Sequence, residues 1–133
     1  MILTYASQQD YDGMAGKGSA VWAPEDFAAM AASMEKFNNE LHESGELVET
    51  RALAAPVLTR RLASKDGQPV VTDGPYAETQ EVLAGYWIVE CESFDRATEL
   101  AARLAETPVP EFVRSRAHAD VRPLVEGQDD LVG

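Results

Sequence analysis

Apolar and polar positions along this chain change period several times, and each change marks an element. The opening run Met1-Ile2-Leu3-Thr4-Tyr5-Ala6 is rich in strand-forming residues and reads as a short first strand. Periodicity is then lost from Ser7 to Ala23, where Gly13, Gly16 and Gly18 fall among polar residues. This predicts a long loop, of a kind that often carries function in compact domains. Pro24 restores order at a helix start, where its missing N–H costs nothing, and Glu25 and Asp26 suit the positive helix end. Phe27, Met30, Met34, Phe37 and Leu41 recur at three- and four-residue spacing and make one apolar stripe. The stripe reads as core, with a pocket wall as the alternative. Gly45 is placed to end the helix as a left-handed cap.

Leu47 to Leu53 reads as a second strand, broken by Pro56. Val57 to Ala63 and Gln68 to Thr72 flank Lys65-Asp66-Gly67, a good hairpin turn. Val82 to Glu92 is the clearest strand. Leu83, Gly85, Trp87, Val89 and Cys91 fall on one face, and Ala84, Tyr86 and Ile88 on the other. A strand apolar on both faces needs cover on both sides. Ser93 can cap a second helix whose stripe is Phe94, Ala97, Leu100, Ala101 and Leu104, with Pro108 and Pro110 beyond it. Ala117, Ala119, Val121 and Pro123 alternate with His118, Asp120 and Arg122 as a last strand. The order β-α-β, inserted hairpin, β-α-β is an α+β, ferredoxin-like plan with helices on one sheet face. Residues 1–125 are expected to form a single domain, followed by an acidic, frayed tail at 126–133.

Composition narrows the function. The chain has 133 residues, 45% hydrophobic and 26% charged, enough for one soluble core. No apolar run approaches the roughly 20 residues of a membrane span, and the start lacks the basic flank of a signal peptide. One cysteine, Cys91, allows no internal disulfide; it reads as a packed thiol in a reducing, cytoplasmic setting. The net charge of −12 opposes binding to a phosphate backbone, so no nucleic-acid partner is expected. A cationic or neutral partner suits it better.

Candidate chemistry is sparse. Gly13-Met14-Ala15-Gly16-Lys17-Gly18-Ser19 lacks the four-residue glycine spacing of a phosphate loop. His42 lies among acidic residues late in the first helix, where it favours the negative helix end. No combination of His, Cys and carboxylates has metal-ligand spacing, no Ser-centred elbow occurs, and no cofactor is expected. His118 and Asp120 share a strand face, where a carboxylate could orient an imidazole base; ordinary cross-strand pairing is the plainer reading. The loop after the hairpin is more distinctive. Gly74 supplies backbone freedom and Pro75 fixes the next residue. Asp73 cannot bond an N–H two residues on, because Pro75 has none. Tyr76 and Glu78 add a polar-tipped ring and a charge. This loop is a rigid turn, and with His118 it is a candidate wall of a ligand cleft.

The run Thr72-Asp73-Gly74-Pro75-Tyr76-Ala77-Glu78-Thr79-Gln80-Glu81, leading into Val82 to Trp87, resembles the signature of the DGPF-domain proteins, a branch of the YCII-related family. Asp73, Gly74, Pro75, Glu78, Glu81 and Gly85 match it, while Tyr76 and Gln80 stand for the usual Phe and Lys. The ending His118-Ala119-Asp120-Val121-Arg122-Pro123 is similar to the family's last strand. The resemblance implies a homodimer in which the open sheet faces pack into a dimeric α/β barrel. It implies an accessory module that binds a small molecule or a protein, because relatives are often encoded beside extracytoplasmic-function sigma factors. It also implies an alternative, a small cofactor-independent enzyme of the lyase, isomerase or dehydrochlorinase type, with Asp73 or His118 as its acid/base group. The helix His pattern of the catalytic relatives is absent around His42.

Overall fold

Pro24 and Gly45 bound the longest helix as the pattern predicts. In the computed structural model, which describes residues 1–133, the order is β1 (Ile2–Ala6), α1 (Gln8–Met14), α2 (Pro24–Ser44), β2 (Leu47–Ala52), β3 (Arg60–Lys65), β4 (Gln68–Asp73), β5 (Val82–Val89), α3 (Phe94–Ala105), α4 (Glu111–Arg114) and β6 (Ala119–Val121). Gly45 adopts φ 78°, and the Glu46 N–H donates back to the Leu41 carbonyl at 3.0 Å, closing the orphaned end of α2. Ser93 caps α3 by accepting from the Arg96 N–H at 3.1 Å.

Four strands form one antiparallel sheet in the order β2-β5-β1-β6, the ferredoxin-like arrangement. β3 and β4 form a separate hairpin. The sheet is open, and the chain closes no barrel by itself. The core fills the space between α2, α3 and one sheet face: Ile2, Phe37, Leu41, Trp87, Leu100, Ala101 and Leu104. Ile2 stands beside Trp87 in the register, and Phe37 meets the Trp87 ring edge-on at 6.0 Å. The Trp87 indole N–H donates to Asn38 Oδ1 at 2.7 Å, pinning α2 to the sheet. Arg96 grips Glu46 with two bonds of 3.0 Å, and Arg103 reaches from α3 to Glu40 on α2.

Several expectations change. Residues 7–23 are not all loop, because Ser7 and Asp10 form a capping box that starts α1. Ser7 Oγ accepts from the Asp10 N–H at 3.2 Å, and Asp10 Oδ2 accepts from the Ser7 N–H at 3.0 Å. Phe27 and Phe94 lead their stripes but are 44% and 55% exposed, so the buried part of each stripe begins after the first helical turn. The short helix α4 follows Pro110 unannounced, and β6 begins only at Ala119. Cys91 lies past the end of β5 and is half-buried, its thiol directed at the Ser93 carbonyl, so it is not a core residue. The second face of β5 is less apolar than its sequence suggests. Leu3 and Ile88 are half-buried there, but the Tyr86 hydroxyl donates to Glu49 and the Tyr5 hydroxyl to Asp120, both at 2.8 Å. Every residue of β3 and β4 is exposed, so the hairpin stands clear as an arm.

Candidate functional site

One cavity of about 450 Å3 continues the core toward one end of the sheet. Met14 of α1, Trp22, and Met30, Met34 and Asn38 of α2 line its helical side. Thr4, Thr50, Ala52 and Gly85 line the sheet side, and Leu104, Val109 and Val113 close it from the C-terminal part. Sixteen of the 26 lining residues are hydrophobic, the usual character of a small-molecule site. Met30 is therefore pocket wall, Met34 lines the cavity while packing against the core, and Phe37 and Leu41 of the same stripe are core.

The polar end is built on Asp10. Its residue is 6% exposed, and both carboxylate oxygens are engaged. Arg116 Nη2 donates to Oδ1 at 2.7 Å and Nη1 to Oδ2 at 3.0 Å, a two-pronged pair. Glu81 adds a contact to Arg116 Nη1 at 3.4 Å. Burial by itself would raise the Asp10 pKa, but the Arg116 bonds and the Ser7 N–H outweigh it and hold the carboxyl below its ordinary value. The same pairing raises Arg116. Asp10 is thus a fixed anion near neutral pH, and it joins α1 to the segment before β6.

Most other polar groups of the lining are committed. Thr4 and Thr50 donate to the Gly85 and Tyr86 carbonyls, and the Tyr11 hydroxyl donates to the Leu53 carbonyl at 2.8 Å. Two donors are not. Trp22 is 6% exposed and its indole N–H is buried with no partner. Asn38 uses its oxygen on Trp87, which leaves its amide N–H2 free. Trp22 is held in the wall through its backbone N–H, which donates to the Gly13 carbonyl at 3.0 Å. Only glycine fits at position 13, since a Cβ there would lie 2.1 Å from the Ala20 carbonyl oxygen.

His118 sits at the rim of the cavity, stacked on Tyr5 with centroids 5.0 Å apart. Its Nδ1 lies 3.0 Å from the Arg116 carbonyl, which can only accept, so Nδ1 carries the proton and Nε2 keeps a lone pair when the ring is neutral. The other sequence candidates, Asp73, Gly74, Pro75, Tyr76 and Glu78, are not among the lining residues. Gly74 does take φ 56°, the left-handed turn expected of it, and its N–H donates to the Thr59 carbonyl at 2.8 Å. Asp73 pairs with Arg60 across the hairpin at 2.8 Å, and the Arg61 guanidinium lies over the Tyr76 ring. The Glu78 carbonyl accepts from the Gln9 N–H at 3.0 Å, which ties the loop to α1. The signature reaches the cavity through Glu81 rather than Asp73.

Sequence reasoning missed Asp10, Arg116 and Trp22. The Ser7-x-x-Asp10 spacing was a legible cap signal. Nothing in the sequence joins Asp10 to Arg116, 106 positions away.

Comparison with known proteins agrees with the signature. An uncharacterised protein of Rhizobium meliloti (strain 1021) is 27% identical over 106 residues, covering 80% of this chain and 82% of that protein. The family model of the YCII-related domain matches residues 1–109, ending before Arg116 and His118. With that match over most of its length, and with a ferredoxin-like sheet beneath the signature loop, the chain belongs to the YCII-related domain family.

Proposed function

We propose that this protein is a small ligand-binding module whose site is the cavity above the sheet. The observation that carries the reading is a largely apolar space whose one buried carboxylate, Asp10, is already paired with Arg116. Such a space gains by burying an apolar ligand and loses nothing by desolvating free charge. The signature loop, Asp73 to Glu78, acts in this reading as a buttress that holds α1 and presents Glu81. Both tryptophans of the chain line the cavity, so ligand entry is visible in intrinsic fluorescence. A neutral aromatic dye should bind once per chain and change that fluorescence. Ala52→Phe, which fills the sheet side, should weaken binding at least tenfold. Calorimetry that detects no bound dye in the unmodified protein would overturn the reading.

Assembly and partners are part of the same proposal. We take the protein as a homodimer whose half-apolar second sheet face, with Leu3 and Ile88, packs on its copy as half of a dimeric barrel. Its surface, with net charge −12, suits a basic protein partner, and a cytoplasmic accessory role beside a sigma factor is the regulatory form of this reading.

His118 favours a second, catalytic reading. Its fixed tautomer leaves Nε2 ready to take a proton at the rim of an apolar space. A lyase or isomerase would need that step. Deuterium exchange at the methyl group of a bound aryl methyl ketone, followed by NMR, tests it. Exchange faster than in buffer, lost in His118→Gln while binding persists, supports catalysis; exchange at the buffer rate removes it.

A further inference from the structure

Asp-Gly occurs three times in this chain, at Asp12-Gly13, Asp66-Gly67 and Asp73-Gly74. The pair is reactive where the backbone leaves it free, because the glycine amide nitrogen has no side chain beside it to block attack on the aspartate carboxyl. The fold treats the three pairs differently. Asp12-Gly13 lies inside α1, its carboxylate accepts from Gln8 Nε2 at 2.9 Å, and Gly13 is buried against Ala20. Asp73-Gly74 is held at both reacting groups: Asp73 Oδ1 accepts from Arg60 Nε at 2.8 Å, and the Gly74 N–H donates to the Thr59 carbonyl at 2.8 Å. Asp66-Gly67 has neither restraint. It is the exposed tip of the β3–β4 hairpin, where no hydrogen bond or ion pair holds the Asp66 carboxylate, the Gly67 N–H donates to no backbone group, and the space beside Gly67 is open. Asp66 is also the one non-glycine residue at positive φ, 52°, a conformation that costs it some strain. We infer that Asp66-Gly67 is a self-modification site, at which the backbone isomerises to isoaspartate. The Gly67 nitrogen bonds to Asp66 Cγ, and the carboxyl hydroxyl leaves with the amide proton as water, closing a succinimide ring. Water then adds at either ring carbonyl and breaks its C–N bond. Addition at Cγ restores aspartate; addition at the main-chain carbonyl leaves the chain running through Asp66 Cβ and Cγ, with the α-carboxylate free. One water leaves and one returns, and nothing is oxidised or reduced. The new link lengthens a turn that sets the hairpin register, so the Leu62–Val71 pair behind it should loosen. No residue of the hairpin lines the cavity, so the inference stands apart from the ligand-binding reading.

The full chain is aged for weeks at body temperature near neutral pH, in native buffer and in guanidinium chloride. Isoaspartate is located by digestion and electron-transfer fragmentation in a mass spectrometer. Its total is counted with an isoaspartyl methyltransferase and labelled S-adenosylmethionine. In native buffer position 66 should carry at least about tenfold more isoaspartate than position 12 or 73, since those pairs react only through local opening. In denaturant the three positions should come within about threefold of one another, because the fold that separates them is gone. Asp66→Glu keeps the charge but would need a larger, slower-forming ring, and should remove most of the methyl-accepting sites from the aged native chain. In aged unmodified protein the amides of Leu62 and Val71 should exchange faster, while those of Ile2 and Trp87 do not change. Isoaspartate spread evenly over the three pairs in native buffer, concentrated at 12 or 73, or absent from 66 overturns the inference.

Discussion

Asp10 is asked to do two things with one carboxylate: cap α1 and hold Arg116. Arg116→Met should leave that carboxylate buried and unpaired. A fully buried pair costs roughly 3–5 kcal/mol to break in this way, and Arg116 keeps 38% of its side chain in water, so we expect about 2 kcal/mol by urea unfolding at pH 7. The pH dependence has a definite sign. The Asp10 pKa is lowered on folding, so its contribution is present above its unfolded value of about 3.9 and fades as pH falls through the folded value. The gap between unmodified protein and variant should therefore shrink below about pH 4. A gap that is constant from pH 7 to pH 3 would mean that Asp10 is not the group involved. Gly74 offers a second residue-level case. With φ at 56°, Gly74→Val forces a β-branched residue into the left-handed region at a cost of about 1–3 kcal/mol. Tyr76→Phe keeps the ring under Arg61 and should change stability by less than about 0.5 kcal/mol. Thermal melts rank the two directly.

At the scale of elements, α1 and the segment that follows it act as one strap across the cavity. Gly13 accepts the Trp22 backbone N–H through its carbonyl and packs against Ala20 through its missing side chain. Gly13→Ala should therefore push the strap away and loosen Trp22, even though alanine is the better helix former. Overpacking of this kind costs about 1–3 kcal/mol. The expected readout is a red-shifted tryptophan emission and weaker ligand binding, with far-UV circular dichroism nearly unchanged. A variant with native emission would show that Trp22 is held by something other than this contact. The β3–β4 hairpin is the opposite case, since it keeps its register through an Asp66-Gly67 turn with both residues at positive φ, yet it buries nothing. An isolated two-stranded hairpin is marginal in water.

That exposed arm and the half-apolar sheet face set the expectation for the whole molecule. Light scattering at micromolar concentration should give about twice the 14.5 kDa chain mass. In the dimer, amides of β3 and β4 or of the second sheet face should exchange more slowly than in a diluted, monomeric sample. A mass equal to one chain at all concentrations would end the barrel proposal. The last residues contribute little to the rest: Gln128–Asp130 form a single exposed turn, and the Glu126 N–H bonds only to Asp130. Removing 126–133 should shift the melting temperature by less than about 2 °C, since surface groups without partners are worth under about 0.5 kcal/mol.

The six strands and the two long helices are legible in the sequence in their order, while the short helices α1 and α4 are not. Helix α2 between Pro24 and Gly45, the Ser93 cap, the Asp66-Gly67 turn and the Gly74 turn each follow from backbone chemistry confined to a few neighbouring residues. The core residues Leu41, Trp87 and Leu100 follow from period alone. Local chemistry also hid something, because three glycines between 13 and 18 masked the Ser7–Asp10 cap and with it α1. Which stripe residues are core and which are wall is settled only by the tertiary structure: Met30 and Phe37 belong to one apolar stripe and differ in what faces them. The tertiary structure alone brought Arg116 to Asp10 and left the Trp22 indole N–H without a partner. The physical reason is range. Caps, turns and periods are fixed by interactions a few residues long, whereas a cavity and its charge balance are properties of surfaces that meet from distant parts of the chain.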